Sequence, residues 1–213
     1  MKADSASASV LAPATRLALL SVGADLILGG AALGLGLSEG PIALWGFGAA
    51  SLLQIPPALS LRGRILDGLG NRGLDRERLV LRALSHLLRL LALGLALAAI
   101  LALREGPGMR VGFSVLGVAI LGLAFQAPLW VAKRRLAGVH PALGWDADRT
   151  RALLEQATLL LVGGLLSHWF PWADAITGLA LALHLFIQGQ GLAKGTTLQA
   201  AACGGCGSGC GCG

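Results

Sequence analysis

The stretch VLRALSHLLRLLALGLALAAILAL, residues Val80–Leu103, is leucine or alanine at most positions and carries two charged side chains, Arg82 and Arg89. A helix rises about 1.5 Å per residue, so this run can cross a hydrocarbon core of ~30 Å, which takes about 20 residues. Five more apolar runs of similar length flank it: Leu17–Leu37, Pro41–Leu61, Gly112–Val131, Ala152–Phe170 and Ala173–Leu192. In hydrocarbon each backbone N–H and C=O must be satisfied internally, which helices achieve. The expected fold is all-α, a polytopic membrane bundle of six transmembrane helices.

Composition agrees. Of 213 residues, 55% are hydrophobic and 13% charged, and the mean hydropathy is +0.73. A soluble domain carries about a quarter charged residues. The net charge of +6 does not indicate nucleic acid: Tyr is absent, aromatics do not interleave with basic residues, and no polar segment is large enough to fold alone. Topology explains the charge. With the N-terminus inside, fourteen Lys and Arg fall on the inner side: Lys2, Arg16, Arg62, Arg64, Arg72, Arg76, Arg78, Arg82, Lys133, Arg134, Arg135, Arg149, Arg151 and Lys194. Arg104 and Arg110 fall on the outer side and Arg89 within a span. That asymmetry predicts both termini in the cytoplasm of a multi-pass protein, expected in the cell (inner) membrane. The first run is too long for a signal peptide and further spans follow it, so it is expected to be retained.

The polar lead, 1–14, is expected to be disordered, residues 15–195 to form the six-helix domain, and 196–213 a Gly/Cys-rich cytoplasmic tail. The larger loops, 62–79 and 132–151, are arginine-rich and lie inside. Outer loops are short: Ser38–Gly40, a Gly-Pro-Gly turn within Arg104–Arg110, and Pro171–Trp172. Trp130 and Trp145 fit one interfacial belt, Trp169 and Trp172 the other. Glycines crowd the first two spans and imply close helix packing. Pro56-Pro57 is expected to kink or end the second span.

All four cysteines lie in the tail, as Cys203, Cys206, Cys210 and Cys212 within ten residues. Four thiols separated by Gly and Ser can wrap one soft ion such as Zn, Cu(I) or Cd. In a reducing cytosol, structural disulfides are not expected. The alternative is a low-complexity tail with incidental cysteines.

Polar residues inside spans are costly and face a partner or a pathway. Asp25 lies mid-span, either as a structural partner of Arg89 or His86 or as a transport carboxylate. Arg82, Ser85, His86 and Arg89 recur on one helical face, where snorkelling accounts for Arg82 and His86 is a candidate ligand. Glu155, near the inner end of the fifth span, is the stronger candidate. His184 is expected to make a bundle-facing hydrogen bond, and His168 to sit at the wet outer mouth. No catalytic triad, phosphate-binding glycine loop or metalloprotease signature is present, so the chain does not read as an enzyme, and no prosthetic group is expected.

The stretch Trp172-Ala-Asp-Ala-Ile-Thr-Gly-Leu-Ala-Leu-Ala-Leu-His184, continuing to Gly191, resembles the sixth transmembrane helix of the cation diffusion facilitators. Gly40-Pro-Ile-Ala-Leu-Trp45 resembles the entry to that family's second helix. The likeness covers roughly 15–195 and is specific in the last helix. It implies a homodimer exporting a divalent metal from the cytoplasm in exchange for protons. The family's ligands are Asp/His pairs on helices two and five. At the matching positions of the second helix stand Gly46, Phe47, Ala50 and Gln54, of which only the Gln54 amide is a donor atom set. In the fifth, Asp148, Arg151 and Glu155 keep the frame, but an arginine cannot ligate a cation. The family's usual cytoplasmic C-terminal domain is replaced by the cysteine tail. Asp174 corresponds to a structural helix start.

Two functions follow as expectations. One is efflux of a divalent or soft cation (zinc among them) with Asp25 and Glu155 as carboxylates and Gln54 or His86 as neutral partners. The other is a non-transporting metal-binding sensor or partner subunit that keeps the fold.

Overall fold

The computed structural model describes residues 2–66, 74–106, 112–138 and 141–204, with side chains described within 12–66, 75–106, 112–138 and 142–194. Among the described residues there are seven helices and no strand: α1 (Lys2–Glu39), α2 (Ile42–Leu53), α3 (Ile55–Leu66), α4 (Leu74–Glu105), α5 (Phe113–Leu136), α6 (Pro141–Leu166) and α7 (Ala173–Gly204). The protein is all-α.

Two of these helices form one crossing. Proline has no N–H, so Pro56 and Pro57 leave the carbonyls of Leu52 and Leu53 without their usual helical donors. The chain responds at Gln54, a turn between α2 and α3, and Ala58 resumes the ladder by donating to the Gln54 carbonyl at 3.3 Å. The expected proline break lies here.

Five segments are long and apolar enough to cross a membrane: Ala12–Glu39, Ile42–Leu66, Asp75–Glu105, Phe113–Leu136 and Ala173–Lys194. The expectation was six. The exception is α6, whose length is sufficient but whose apolar part, from Ala152 to Leu166, is preceded by Arg149 and Arg151 and contains Glu155. Two boundaries also differ from expectation. Helix α1 begins at Lys2 rather than after a disordered lead, and α7 continues to Gly204 through the start of the expected tail. Both extensions are rich in alanine, the best helix former, and lack glycine or proline apart from Pro13, Gly195 and the final Gly204.

Helix α1 packs on α2, α3 and α5; α5 lies along α6; α4 lies along α7; and α2 sits between these groups. The core is built around Leu44 and Phe47 of α2, Leu88 and Leu95 of α4, Leu160 of α6, and Leu181 and Leu185 of α7. Leu90, Leu93, Leu97, Ile120, Leu121, Leu183 and Ile187 face outward. Leucines on both the core and the outer faces suit an apolar solvent rather than water. Close approach comes from glycines: a Cβ on Gly48 would meet the Leu33 backbone nitrogen at 2.4 Å, and one on Gly163 would meet Thr177 Oγ1 at 2.0 Å. Gly40, at φ +91°, makes the reversal between α1 and α2 that a side chain would strain.

At one end, called here the basic end, Ala14, Leu61, Ile65, Ala142 and Leu143 form a small second core. Arg64 of α3 pairs with Glu77 of α4 there. At the opposite end Ser114 donates to Glu39, and Asp174 reaches the start of α2. Trp145 is exposed near the basic end, and Trp169 and Trp172 at the other. Trp130 lies under the Arg134 guanidinium, 5.6 Å from its ring centroid.

Candidate functional site

Apolar helices bury polar groups only where those groups have partners or purpose, so the polar interior is where function is sought. Three groups of such residues lie toward the basic half of the bundle.

The first joins α1 to α5. Asp25 is buried, and its Oδ1 accepts a hydrogen bond from Gln126 Nε2 at 2.8 Å. The expected partners, Arg89 and His86, are elsewhere. Both belong to α4, which packs against α7 and is separated from α1 by the α2–α3 crossing. Arg89 Nη2 approaches the Gly189 carbonyl of α7 at 3.5 Å, and His86 is exposed.

The second ties α5 to α6. Lys133 Nζ lies 2.8 Å from Asp146 Oδ2 and donates to Thr150 Oγ1 at 2.9 Å. Arg149 Nη2 donates to Asp146 Oδ1 at 2.7 Å. All three charged side chains are 10% exposed or less. Asp146 precedes the apolar part of α6. Burial pushes its carboxyl up, but Lys133 and Arg149 overcome that and hold it below the ordinary carboxylate range.

The third centres on the break in the α2–α3 crossing. Ser51 is fully buried and Gln54 is 3% exposed. The Ser51 hydroxyl and both polar atoms of the Gln54 amide have no hydrogen-bond partner among the described residues. Their position follows from packing one or two turns earlier. Gly46 abuts Leu95 of α4 and Leu181 of α7, while the Phe47 ring reaches Gly122 of α5. Helices α2 and α7 run the same way, so two turns further along each bring Gln54 to the level of Gln188 and Gly189. At 100° per residue, Gln54 points between the directions of Gly46 and Phe47, into the bundle. Between α6 and α7, Gln156 Nε2 donates to Gln188 Oε1 at 3.2 Å. That single bond leaves Gln156 Oε1 and Gln188 Nε2 buried and unpartnered.

Beside this layer, Glu155 of α6 is held by Arg151, whose Nε donates to Oε1 at 2.8 Å. Its other oxygen lies 3.9 Å from His184 Nε2 of α7. That separation is too long for a hydrogen bond, and His184 Nε2 has no hydrogen-bond partner among the described residues. The position expected to carry a metal-binding histidine instead carries an arginine neutralising Glu155.

The expected ligand set is not brought together. Asp25 pairs with Gln126 and Glu155 with Arg151, Gln54 is buried at the α2–α3 break, and His86 is exposed. Among the described residues, no three His, Cys, Asp or Glu side chains are close enough to hold a metal ion. Cys206, Cys210 and Cys212 lie outside the described residues, and Cys203 lies in α7 with its side chain outside them. Sequence reading passed over Gln126, Gln156 and Gln188, although each is an amide inside an apolar run. It counted Lys133 and Arg149 as loop charges because nothing in the order of residues reveals a buried triad. No family model matches the chain, and no curated protein is significantly similar to it.

Proposed function

We propose that this is a multi-pass membrane protein that passes a cation through the centre of its bundle, of the cation-efflux kind its last helix resembles. The observation that carries this is the Gln54 amide: buried, without a partner, and aimed into the bundle at a break in a crossing helix. A buried unsatisfied amide costs about 1–3 kcal/mol, a cost that packing alone does not explain. Interrupted helices at membrane depth offer cations unwound backbone carbonyls in several transporter folds. Here Gln54 Oε1, Ser51 Oγ, Gln156 Oε1 and the Leu53 carbonyl supply neutral oxygens. Glu155 and His184 add a carboxylate and an imidazole nearby. The basic end faces the cytoplasm by the charge asymmetry, and the cysteine tail collects a soft ion there. Metal flux into proteoliposomes tests it: wild-type protein should move at least one of Zn, Cd, Co, Ni, Mn or Fe, and Gln54→Leu and Glu155→Gln should each reduce the rate about tenfold or more. Flux unaffected by Gln54→Leu would place the path elsewhere.

A second reading, a non-transporting metal-binding sensor or partner subunit, is favoured by the Lys133–Asp146–Arg149 triad. Its two cations repel a divalent ion approaching from the basic end. No flux of any of these ions, with Zn still bound by the purified chain and lost when all four cysteines become Ser, would decide for it.

A further inference from the structure

Between α3 and α4, at the basic end, lies a crevice of about 330 Å³ lined by Pro56, Leu59, Ser60, Gly63, Arg64, Arg76 and Val80. Its binding role does not depend on the transport reading. We propose that this crevice binds the anionic phosphate headgroup of a lipid in the basic-end leaflet.

Chemistry and position both point there. Arg64 is largely buried and spends one end of its guanidinium on Glu77, which fixes its side chain in the wall. Arg76, exposed at the rim, forms no ion pair among the described residues. Ser60 adds a hydroxyl to the lining. In the described stretches 55–66 and 74–82 there are five arginines (Arg62, Arg64, Arg76, Arg78, Arg82) against two carboxylates, Asp75 and Glu77. A phosphate monoanion or diester therefore meets a net positive field and fork-shaped donors suited to its oxygens. The other walls are apolar. Pro56 and Leu59 are exposed and continue onto the outward face of the bundle, where an acyl chain can follow the headgroup out. Basic recesses between membrane helices on the positive side recognise anionic headgroups in this way. A free phosphate would satisfy the arginines but leave those apolar walls without an occupant, which is why a lipid is the assigned ligand.

Native mass spectrometry and thermal unfolding of the purified full-length protein test this with phosphatidylglycerol, phosphatidylcholine and inorganic phosphate. Wild type should retain one phosphatidylglycerol and gain thermal stability from it, with phosphatidylcholine giving neither effect. Arg76→Gln should weaken retention about fivefold, the effect of one basic residue near an anionic surface. Ser60→Leu should abolish it by filling the crevice without changing charge. Arg104→Gln, the same charge change at the opposite end, should leave it intact. Circular dichroism confirms that each variant is folded, and the exposed Arg76 makes its variant the safe one. Equal loss in Arg76→Gln and Arg104→Gln would overturn the proposal, as would retention undiminished in both Arg76→Gln and Ser60→Leu. Stabilisation by millimolar inorganic phosphate equal to that by the lipid would also overturn it, as evidence of a free-anion site.

Discussion

Gln126 of α5 donates from Nε2 to Oδ1 of Asp25 of α1 at 2.8 Å, with both side chains buried. The two residues stand 101 positions apart, yet this bond fastens the first helix to the fifth in the middle of an apolar contact. It gives Asp25 a partner other than the expected Arg89 or His86 and clips the two helices together, whereas the polar groups around Gln54 have no partner among the described residues. Interhelical hydrogen bonds in membranes average well under 2 kcal/mol because the separated helices also find partners. Its value lies as much in fixing the rotation of α1 as in energy.

Replacing Gln126 with Leu should therefore destabilise the bundle by about 1–3 kcal/mol, since it strands a buried acceptor. Asp25→Asn, which can still pair amide to amide, should lose less. Unfolding of the purified protein in mixed micelles measures both. Equal stability of Gln126→Leu and wild type would mean that Asp25 is satisfied by something else.

The triad at the α5–α6 junction should be more sensitive. Asp146→Asn leaves Lys133 and Arg149 buried with one neutral partner, and breaking a buried pair this way costs about 3–5 kcal/mol. Acid should reproduce part of that loss. The folded carboxyl sits below its ordinary value of 3.8, so its contribution is complete above the ordinary carboxylate range. It declines as pH falls toward and through the lowered value. A pH titration of stability should show wild type losing its advantage over Asp146→Asn only at such acid pH. An advantage lost already near neutrality would contradict the assignment.

The break and the two ends of the bundle were legible in the sequence because they depend on composition along one dimension. Pro56-Pro57 gave the break at Gln54, tryptophans and arginines the two ends, and apolar runs five of the six expected crossings. Partner choice was not legible. Whether Asp25 meets Arg89 or Gln126 depends on which helices lie side by side, and that is decided by small residues such as Gly29 and Gly48 meeting across a gap. The expected loop 132–151 was misjudged for the same reason: the basic-end turns of α6 bury Asp146, Arg149 and Thr150 against α5 instead of exposing them. That Arg151 stands four residues before Glu155 was visible, but its pairing with Glu155 and the nearness of His184 were not.

The glycines separate close approach from mere smallness. A Cβ at Gly48 would lie 2.4 Å from the Leu33 nitrogen and 2.8 Å from the Gly29 carbonyl oxygen, both of them backbone atoms that cannot rotate away. Gly48→Ala should push α1 from α2 and destabilise by about 1–3 kcal/mol. Gly30→Ala, with nothing within 4 Å of the added carbon, should be neutral or slightly stabilising through helix propensity. Similar stabilities for the two variants would refute the packing account.

Asp174 offers the most specific test of the architecture. It stands in the first turn of α7, where a carboxylate favours that helix's own dipole. Its oxygens nevertheless reach α2: Oδ2 accepts from the Ile42 N–H at 2.7 Å and Oδ1 from the Ala43 N–H at 3.2 Å. The residue before α2 is Pro41, which has no side chain that can cap it, so α7 supplies the cap that α2 lacks. Loss of a cap costs about 0.5–2 kcal/mol. Asp174→Ala should lose stability in that range and speed hydrogen exchange at Ile42 and Ala43 while leaving the amides of α4 unchanged. Asp174→Asn removes the charge but keeps one acceptor, so it should protect one of the two amides and fall between. If Asn and Ala lose equally and the Ile42 and Ala43 amides exchange as in wild type, the carboxylate acts through the α7 dipole alone. Faster exchange confined to those two amides would establish that the last helix holds the start of the second.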